Sequence, residues 1–143
     1  MRHHIERRLK RFKWVLLVVV VMEQSSPIIP ELIYHIALPG HLEQAKAAGV
    51  YTMSTRDVTI AQEGYMHASF ESQVAGTLGR FYSDAPSACV LVIDTHLVAA
   101  AGLKVVVEQL GRAPEPFPHV YGNLPVNAIV RVRSIDEWNS GLH

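Results

Sequence analysis

Short apolar runs separated by turn-forming residues recur along most of the chain. Residues 32–37 (LIYHIA) are rich in strand formers, so they predict a first strand with Tyr34 and His35 on opposite faces. Residues 88–93 (ACVLVI) are apolar throughout, which is typical of a central strand buried on both faces. Later apolar segments predict further strands at residues 103–107 and 127–132.

Helical spacing of apolar residues is present in two other segments. Residues 41–48 have apolar residues on one face and are followed by Gly49, which predicts a short helix. Residues 72–82 show the same spacing, and Ser72 is a candidate for the residue that caps this helix. A weaker helix or turn is predicted for residues 55–62. Because the helices come early and the strands late, the α+β class is favoured over a doubly wound parallel sheet.

Two segments rich in polar and aromatic residues lie between these elements. Residues 65–69 (YMHAS) predict a short strand or strand-like turn. Residues 111–122 predict a proline-rich loop ending in the sequence FPHVYG, and functional residues concentrate on such loops. Trp138 is predicted to pack at the C-terminal end of the domain. Cys89, the only cysteine, is predicted to lie in the core.

Charge is divided unevenly along the chain. Residues 1–22 contain six basic residues and one acidic residue, whereas residues 23–143 contain seven basic and twelve acidic residues. An acidic domain repels a phosphate backbone, so nucleic acid is disfavoured as a partner. A proline-containing linker follows the basic segment. We therefore predict an N-terminal extension at residues 1–31, one domain at residues 32–138 and a tail at residues 139–143.

The basic N-terminal segment, residues 1–22, permits three interpretations. Its basic part is followed by nine apolar residues (WVLLVVVVM), too few for a stable membrane span, which needs about 20. The order also imitates a signal peptide, but no small-residue cleavage site follows. We favour a third interpretation, in which translation starts at Met22 and the domain is cytoplasmic. An exported or membrane-associated protein is the alternative.

Common motifs for nucleotide, zinc, thiol or serine chemistry are absent from the sequence. The remaining polar residues lie in segments with the order IYHI, EGYMHAS, QV to RFY, VE and FPHVYG. This order resembles the domain of unknown function 952 family over nearly all of residues 32–138, and FPHVYG is its most specific element. The resemblance implies an α+β fold, a small mixed or antiparallel split β-sandwich with two or three helices.

That family in turn resembles the ADP-ribosyltransferase fold, in which two small sheets flank a nicotinamide dinucleotide cleft. The resemblance implies a small nucleotide, NAD or ADP-ribose, as the ligand, with ADP-ribosyl transfer or NAD hydrolysis as the reaction and no metal. By position, His35 would hold a ribose and Glu108 would orient and polarise the sugar. Tyr65, His67 or Ser69 would line the nicotinamide side.

The chemistry accounts for these residue types. Breaking an N-glycosidic bond builds positive charge on the ribose carbon, which a nearby carboxylate stabilises. A neutral imidazole can donate to a ribose hydroxyl while its other nitrogen is fixed by a neighbour. The predicted catalytic residues are Glu108, His35 and His67, and the predicted ligand-binding residues are His35, Tyr65, Ser69, His119 and Tyr121.

Structural interpretations stay open for the same residues. His35 could be a buried histidine with satisfied hydrogen bonds, and Ser69 could cap the helix that follows it. Glu108 could be exposed or paired with Arg112, and Tyr121 could be a packing anchor. Two alternative functions follow. One is a binding module without catalysis, and the other is a metal-dependent hydrolase in which His35, His67 and His119 converge.

Overall fold

The computed structural model describes residues 28–143, so the interpretations of residues 1–22 fall outside the described part. The strands are β1 (Leu32–Ala37), β2 (Val50–Tyr51), β3 (Met66–His67), β4 (Cys89–Asp94), β5 (Lys104–Glu108), β6 (Phe117–Tyr121), β7 (Leu124–Pro125) and β8 (Ile129–Ser134). The α-helices are α1 (Pro39–Ala48), α2 (Ile60–Glu63), α3 (Glu71–Phe81), α4 (Thr95–Ala100) and α5 (Ile135–Asn139).

The strands form three small sheets in which every pairing is antiparallel. Their strand orders are β1-β4-β8, β2-β7 and β3-β6-β5. This arrangement confirms the α+β class with antiparallel sheets. The described part has five α-helices instead of the predicted two or three, because α4 and α5, of 6 and 5 residues, are too short to show helical periodicity.

Strand β4 is the central strand of its sheet, as its apolar sequence predicts. Alternate side chains enter two separate hydrophobic clusters on the two faces of the sheet. Leu91 and Ile93 join the cluster beneath α1, whereas Val90 and Val92 join the cluster beneath α3. Cys89 is buried in the first cluster, which confirms its predicted core position. The sheet therefore separates two cores, and β1 contributes to both.

The second cluster includes the C-terminal end of the chain. Trp138 is buried and packs edge-on against Tyr34, with 5.0 Å between the ring centroids. This confirms the packing role predicted for Trp138. His143 stacks on Trp138, at 3.6 Å between centroids, and its Nδ1 lies 2.6 Å from a carboxylate oxygen of Glu71.

Helix α3 begins differently from the prediction. Its N-cap residue is Phe70, and no side chain caps it, so the capping interpretations of Ser69 and Ser72 are wrong. The Gln73 side chain instead accepts a hydrogen bond from the Phe70 N–H at 3.0 Å. Ser69 is held by two backbone hydrogen bonds with Tyr34, of 2.7 and 2.9 Å, which bridge β1 to the β3 segment.

Strand β6 corrects the loop predicted for the FPHVYG sequence. The segment pairs with β3 on one side and β5 on the other, so it is the middle strand of its sheet. Pro116, just before the strand, and Pro118, within it, suggested a turn, because proline removes a backbone donor. Pro118 nevertheless remains useful to the sheet, since its carbonyl accepts a hydrogen bond of 3.0 Å from the Ala68 N–H.

Candidate functional site

The sheet β3-β6-β5 places most of the predicted site residues on one face. His67 lies directly opposite His119 in the register of β3 and β6. His119 lies opposite Val106 on β5, and Glu108 is two residues further along the same strand. Side chains two residues apart point to the same face of a strand, so Glu108 shares the face of His119 and His67. By the same alternation, Tyr121 lies on this face.

Three of these side chains are linked end to end, and we call Glu108, His119 and His67 the Glu-His-His array. His119 Nδ1 lies 2.9 Å from Glu108 Oε1, and His119 Nε2 lies 3.4 Å from His67 Nδ1. Tyr121 donates a short hydrogen bond from its hydroxyl to the same Glu108 oxygen. Glu108 is therefore paired within the sheet and not with Arg112, which corrects the pairing considered for it.

The two ends of the array differ in charge, because Glu108 is ionised and His67 is neutral. The hydrogen bonds from Tyr121 and His119 hold the pKa of Glu108 below its ordinary value. Because the Glu108 carboxylate is ionised and can only accept, His119 donates its Nδ1–H to it. Burial, followed by the neighbouring His119 and the charge of Arg80, lowers the pKa of His67 to about 4. His67 is therefore an uncharged imidazole at neutral pH.

Tyr65 covers the middle of the array. Its ring stacks on His119 with 4.0 Å between centroids and an interplanar angle of 17°, and its hydroxyl donates to Glu63 at 3.0 Å. Burial and this hydrogen bond raise the pKa of Tyr65 to about 12. His119 is only 3% exposed, and the stacked Tyr65 ring restricts the rotation of its imidazole.

His35 lies behind the backbone of His67. Its Nδ1–H donates to the His67 carbonyl at 2.6 Å, and its Nε2 accepts from the Tyr51 hydroxyl at 2.9 Å. Burial lowers the pKa of His35 to about 4, so the ring is neutral. These partners match the interpretation of His35 as a buried, satisfied histidine. Its predicted ribose contact would require one of the two bonds to break.

A cavity of about 430 Å³ opens beside His67. It lies between β1, β3, the end of α3 and the loop that precedes Val58. The predicted site residues His35, His67 and Ser69 line it. Residues without a predicted role supply the rest of the wall, and these are Ile36, Ser54, Thr55, Arg56, Asp57, Thr77, Phe81 and Tyr82.

Two arginines lie near the cavity side of the array, and one of them is paired with a carboxylate. Arg56 lines the cavity, donates to Asp84 at 2.8 Å and to the Phe81 carbonyl at 2.9 Å, and lies 5.5 Å above the centre of the Tyr82 ring. Arg80 is close enough for its charge to lower the pKa of His67. The sequence gives no periodic signal for Arg56, and Arg80 on an exposed helix face resembles an ordinary solvated cation.

Ser54 is the one cavity residue whose polar atom is fully enclosed and unpaired within the described residues. The residue has no exposed surface, and its Oγ has no hydrogen-bond partner among residues 28–143. A buried hydroxyl without a partner is unfavourable by about 1–3 kcal/mol. Its backbone carbonyl accepts from the His67 N–H at 3.2 Å, which fixes the loop beside the array.

The predicted residues therefore divide into two groups. One group lines the cavity directly and consists of His35, His67 and Ser69. The other group reaches the cavity only through His67 and consists of Tyr65, Glu108, His119 and Tyr121. The two groups meet at His67, so the predicted residues form one connected cluster. Their catalytic and binding roles stay predictions.

The three histidines do not make a metal centre. His35 directs both ring nitrogens to protein groups, so it offers no lone pair to an ion shared with His67 and His119. Within residues 28–143, no group of three or more histidine, cysteine or acidic side chains is placed to hold a metal ion. In the described part of the chain, these histidines therefore do not form the three-ligand set on which the metal-dependent alternative depends.

None of the helices in the described part combines the length and the apolar character that a membrane crossing requires.

The fold and the site together define the class of protein. It is a small α+β domain with antiparallel sheets and a cavity that adjoins a hydrogen-bonded array of histidines.

Comparison with known proteins identifies the family. The chain belongs to the family described as protein of unknown function (DUF952), which matches residues 36–132, and this confirms the predicted family. The crystal structure of protein CC0527 from Caulobacter crescentus is similar, with a TM-score of 0.58 and 23% identity over 72% of this chain and 84% of that chain. Its solution NMR structure gives a TM-score of 0.56 at 23% identity, over 73% and 84%. The likeness shows the fold. No curated protein matches the sequence.

Proposed function

We propose that the cavity binds a nucleotide of the NAD or ADP-ribose type and that His67 contacts the part of the ligand that reacts. The observation that carries this proposal is the position of His67, an uncharged imidazole that links the cavity wall to the Glu-His-His array. Pockets that combine apolar walls, a few polar groups and a residue with a shifted pKa are preferred places for ligand binding and chemistry.

The composition of the wall suits such a ligand. A volume of about 430 Å³ falls within the usual range for small-molecule sites, roughly 300–1,000 Å³. Phe81, which is 60% exposed, and Tyr82 offer aromatic surface to a base. Arg56 in the wall carries a guanidinium group, which matches the geometry of phosphates, and Arg80 adds a positive charge near His67.

The ADP-ribosyltransferase-like fold is part of the same proposal. The cavity lies where β1 of one three-stranded sheet approaches β3 of the other, which is the arrangement expected of a split sandwich. The roles within it differ from those that the resemblance implies. His35 positions the His67 backbone, and Glu108 acts on the ligand through His119, because Glu108 is not part of the cavity wall.

Binding can be tested by thermal melting and calorimetry with NAD and ADP-ribose. A ligand at ten times its Kd should stabilise the protein by about 1.4 kcal/mol and raise the Tm by about 4 °C. The Arg56→Gln variant should weaken binding about tenfold or more, because it removes a phosphate partner. The matched control is Arg112→Gln, on the exposed loop between β5 and β6, which should bind like the wild type. A Tm that does not move at millimolar NAD and ADP-ribose would contradict the proposal.

A binding module without catalysis is the second candidate. It is favoured by one specific observation, that the predicted catalytic carboxylate of Glu108 does not line the cavity. Release of free nicotinamide from bound NAD decides between the two. Binding with nicotinamide release supports ADP-ribosyl chemistry, and binding without release supports the binding module.

A further inference from the structure

The hydrogen bonds of the Glu-His-His array determine which nitrogen of His67 holds a proton. Glu108 is an ionised acceptor, so His119 must donate from Nδ1. If His119 carries a single proton, its Nε2 is a lone pair, and the contact at 3.4 Å requires His67 to donate from Nδ1. A neutral His67 then has its own lone pair on Nε2, which has no hydrogen-bond partner among the described residues.

We propose that His67 is a general base for a water molecule or a ligand hydroxyl in the cavity, and that Glu108 and His119 are positioning residues that fix its reactive tautomer. The nature of the electrophile rests on the proposed function, whereas the tautomer and the basic nitrogen do not. The arrangement follows the logic of a base oriented by a third group, extended here by one imidazole.

Several contacts hold the imidazole of His67 in the required orientation. His35 binds the His67 carbonyl at 2.6 Å, and Ser54 accepts from the His67 N–H, so the backbone is fixed on both sides. The Phe117 ring packs against the imidazole with 4.9 Å between centroids. A ring flip would remove the hydrogen bond to His119, so the array favours one orientation.

The chemical step balances for hydrolysis of NAD. His67 Nε2 takes a proton from water, and the electron pair of that O–H bond stays on the oxygen. The oxygen forms a bond to the ribose carbon as the carbon–nitrogen bond breaks. The electron pair of the carbon–nitrogen bond goes to the nitrogen of nicotinamide, which leaves uncharged. The imidazolium formed on His67 keeps its Nδ1–H directed to His119, whose opposite nitrogen remains bonded to the Glu108 carboxylate. No oxidant, reductant or metal is required.

The tautomer is the first measurement, because the proposed base requires the proton of His67 on Nδ1 and the lone pair on Nε2. Nitrogen-15 chemical shifts of the histidine rings in the ligand-free protein should show His67 protonated at Nδ1 and unprotonated at Nε2. The His119→Phe variant keeps an aromatic ring for Tyr65 to stack on but removes the acceptor. In that variant His67 should move to the Nε2–H tautomer, which is the more stable one in an unconstrained histidine side chain.

The second measurement is the reactivity of the free nitrogen toward diethylpyrocarbonate, which acylates unprotonated imidazole. Peptide mass spectrometry resolves the eight histidines of the chain. His67 should be acylated about tenfold more slowly in His119→Phe than in the wild type, and two- to fivefold more slowly in Glu108→Gln. Exposed His96 serves as an internal control, and its rate should be unchanged in every variant.

Two results would overturn the inference. One is an Nε2–H tautomer for His67 in the wild type, because the lone pair would then face His119 and not the cavity. The other is an unchanged tautomer and acylation rate in both His119→Phe and Glu108→Gln. Because neither measurement uses NAD, failure of NAD to bind would remove the proposed ligand and leave the general base standing. If NAD is turned over, His67→Asn should lower kcat by about 100-fold or more with a small change in KM.

Discussion

His35 is buried and His67 is half-buried, both line the cavity, and they differ in the hydrogen-bond partners of their ring nitrogens. Burial lowers the pKa of both to about 4, so both are neutral at pH 7. Within residues 28–143, His35 has protein partners on both nitrogens, whereas His67 has one only on Nδ1. A shifted pKa therefore does not distinguish a structural histidine from a reactive one. The hydrogen-bond inventory does.

The difference follows from where each ring lies. His35 is on β1, beside the cluster that contains Ile33 and Tyr51, and the residue is only 3% exposed. A buried polar group without a partner is strongly unfavourable, so the Tyr51 hydroxyl and the His67 carbonyl complete its hydrogen bonds. His67 borders the cavity, and its second nitrogen has no hydrogen-bond partner among residues 28–143.

The largest expected effect is a loss of stability in acid, to which both histidines contribute. Their pKa values in the folded protein are about 4, below the ordinary value of 6.5. Above pH 6.5 neither state takes up a proton, so the stability is fully present. Between pH 6.5 and 4 the unfolded chain binds protons that the folded protein excludes, so stability is lost as the pH falls. The two together should cost about 4 kcal/mol between pH 6.5 and 4.5, measured by urea unfolding.

The separate contributions sharpen the comparison. The His67→Ala variant lacks one of the two imidazoles that take up a proton on unfolding. The slope of the unfolding free energy against pH should therefore fall by about 1.4 kcal/mol per pH unit at most. His96→Ala is the control, because His96 is exposed, and its slope should match the wild type. Equal slopes in all three proteins would mean that burial does not exclude the protons as described.

The next effect in size is the loss of His35 itself. His35→Ala removes a buried ring and leaves the Tyr51 hydroxyl and the His67 carbonyl without partners. We expect the free energy of unfolding at pH 7.5 to fall by about 3 kcal/mol. Tyr51→Phe removes only one hydrogen bond and should cost about 1 kcal/mol. A loss below about 1 kcal/mol for His35→Ala would contradict its structural role.

The smallest expected effect on stability is that of His67→Ala at pH 7.5. Its side chain is partly exposed and makes one long hydrogen bond, so we expect a loss of about 1 kcal/mol or less. Ligand binding or turnover should be affected far more than folding. If His67→Ala destabilised the protein as much as His35→Ala, the contrast between a structural and a reactive histidine would be wrong.

Part of this site could be predicted from local sequence patterns. The alternation of Tyr65 and His67, and of Phe117, His119 and Tyr121, is the period of a strand with a polar aromatic face. Attention to that alternation in the FPHVYG segment would have predicted β6, where the two prolines suggested a loop instead. The cavity residues Ser54 and Arg56 have no comparable signal, because they lie on an irregular segment.

The sequence by itself determined the family, the α+β class, the central position of β4 and the polar residues worth testing, because these depend on composition, short-range periodicity and local motifs. Only the tertiary structure decided that both ring nitrogens of His35 have hydrogen-bond partners, whereas His67 has a partner on one nitrogen among the described residues. That distinction depends on partners 16 to 52 positions away along the chain, such as Tyr51 for His35 and His119 for His67. Hydrogen bonds over such separations are set by strand register and packing, which leave no trace in the residues next to each histidine.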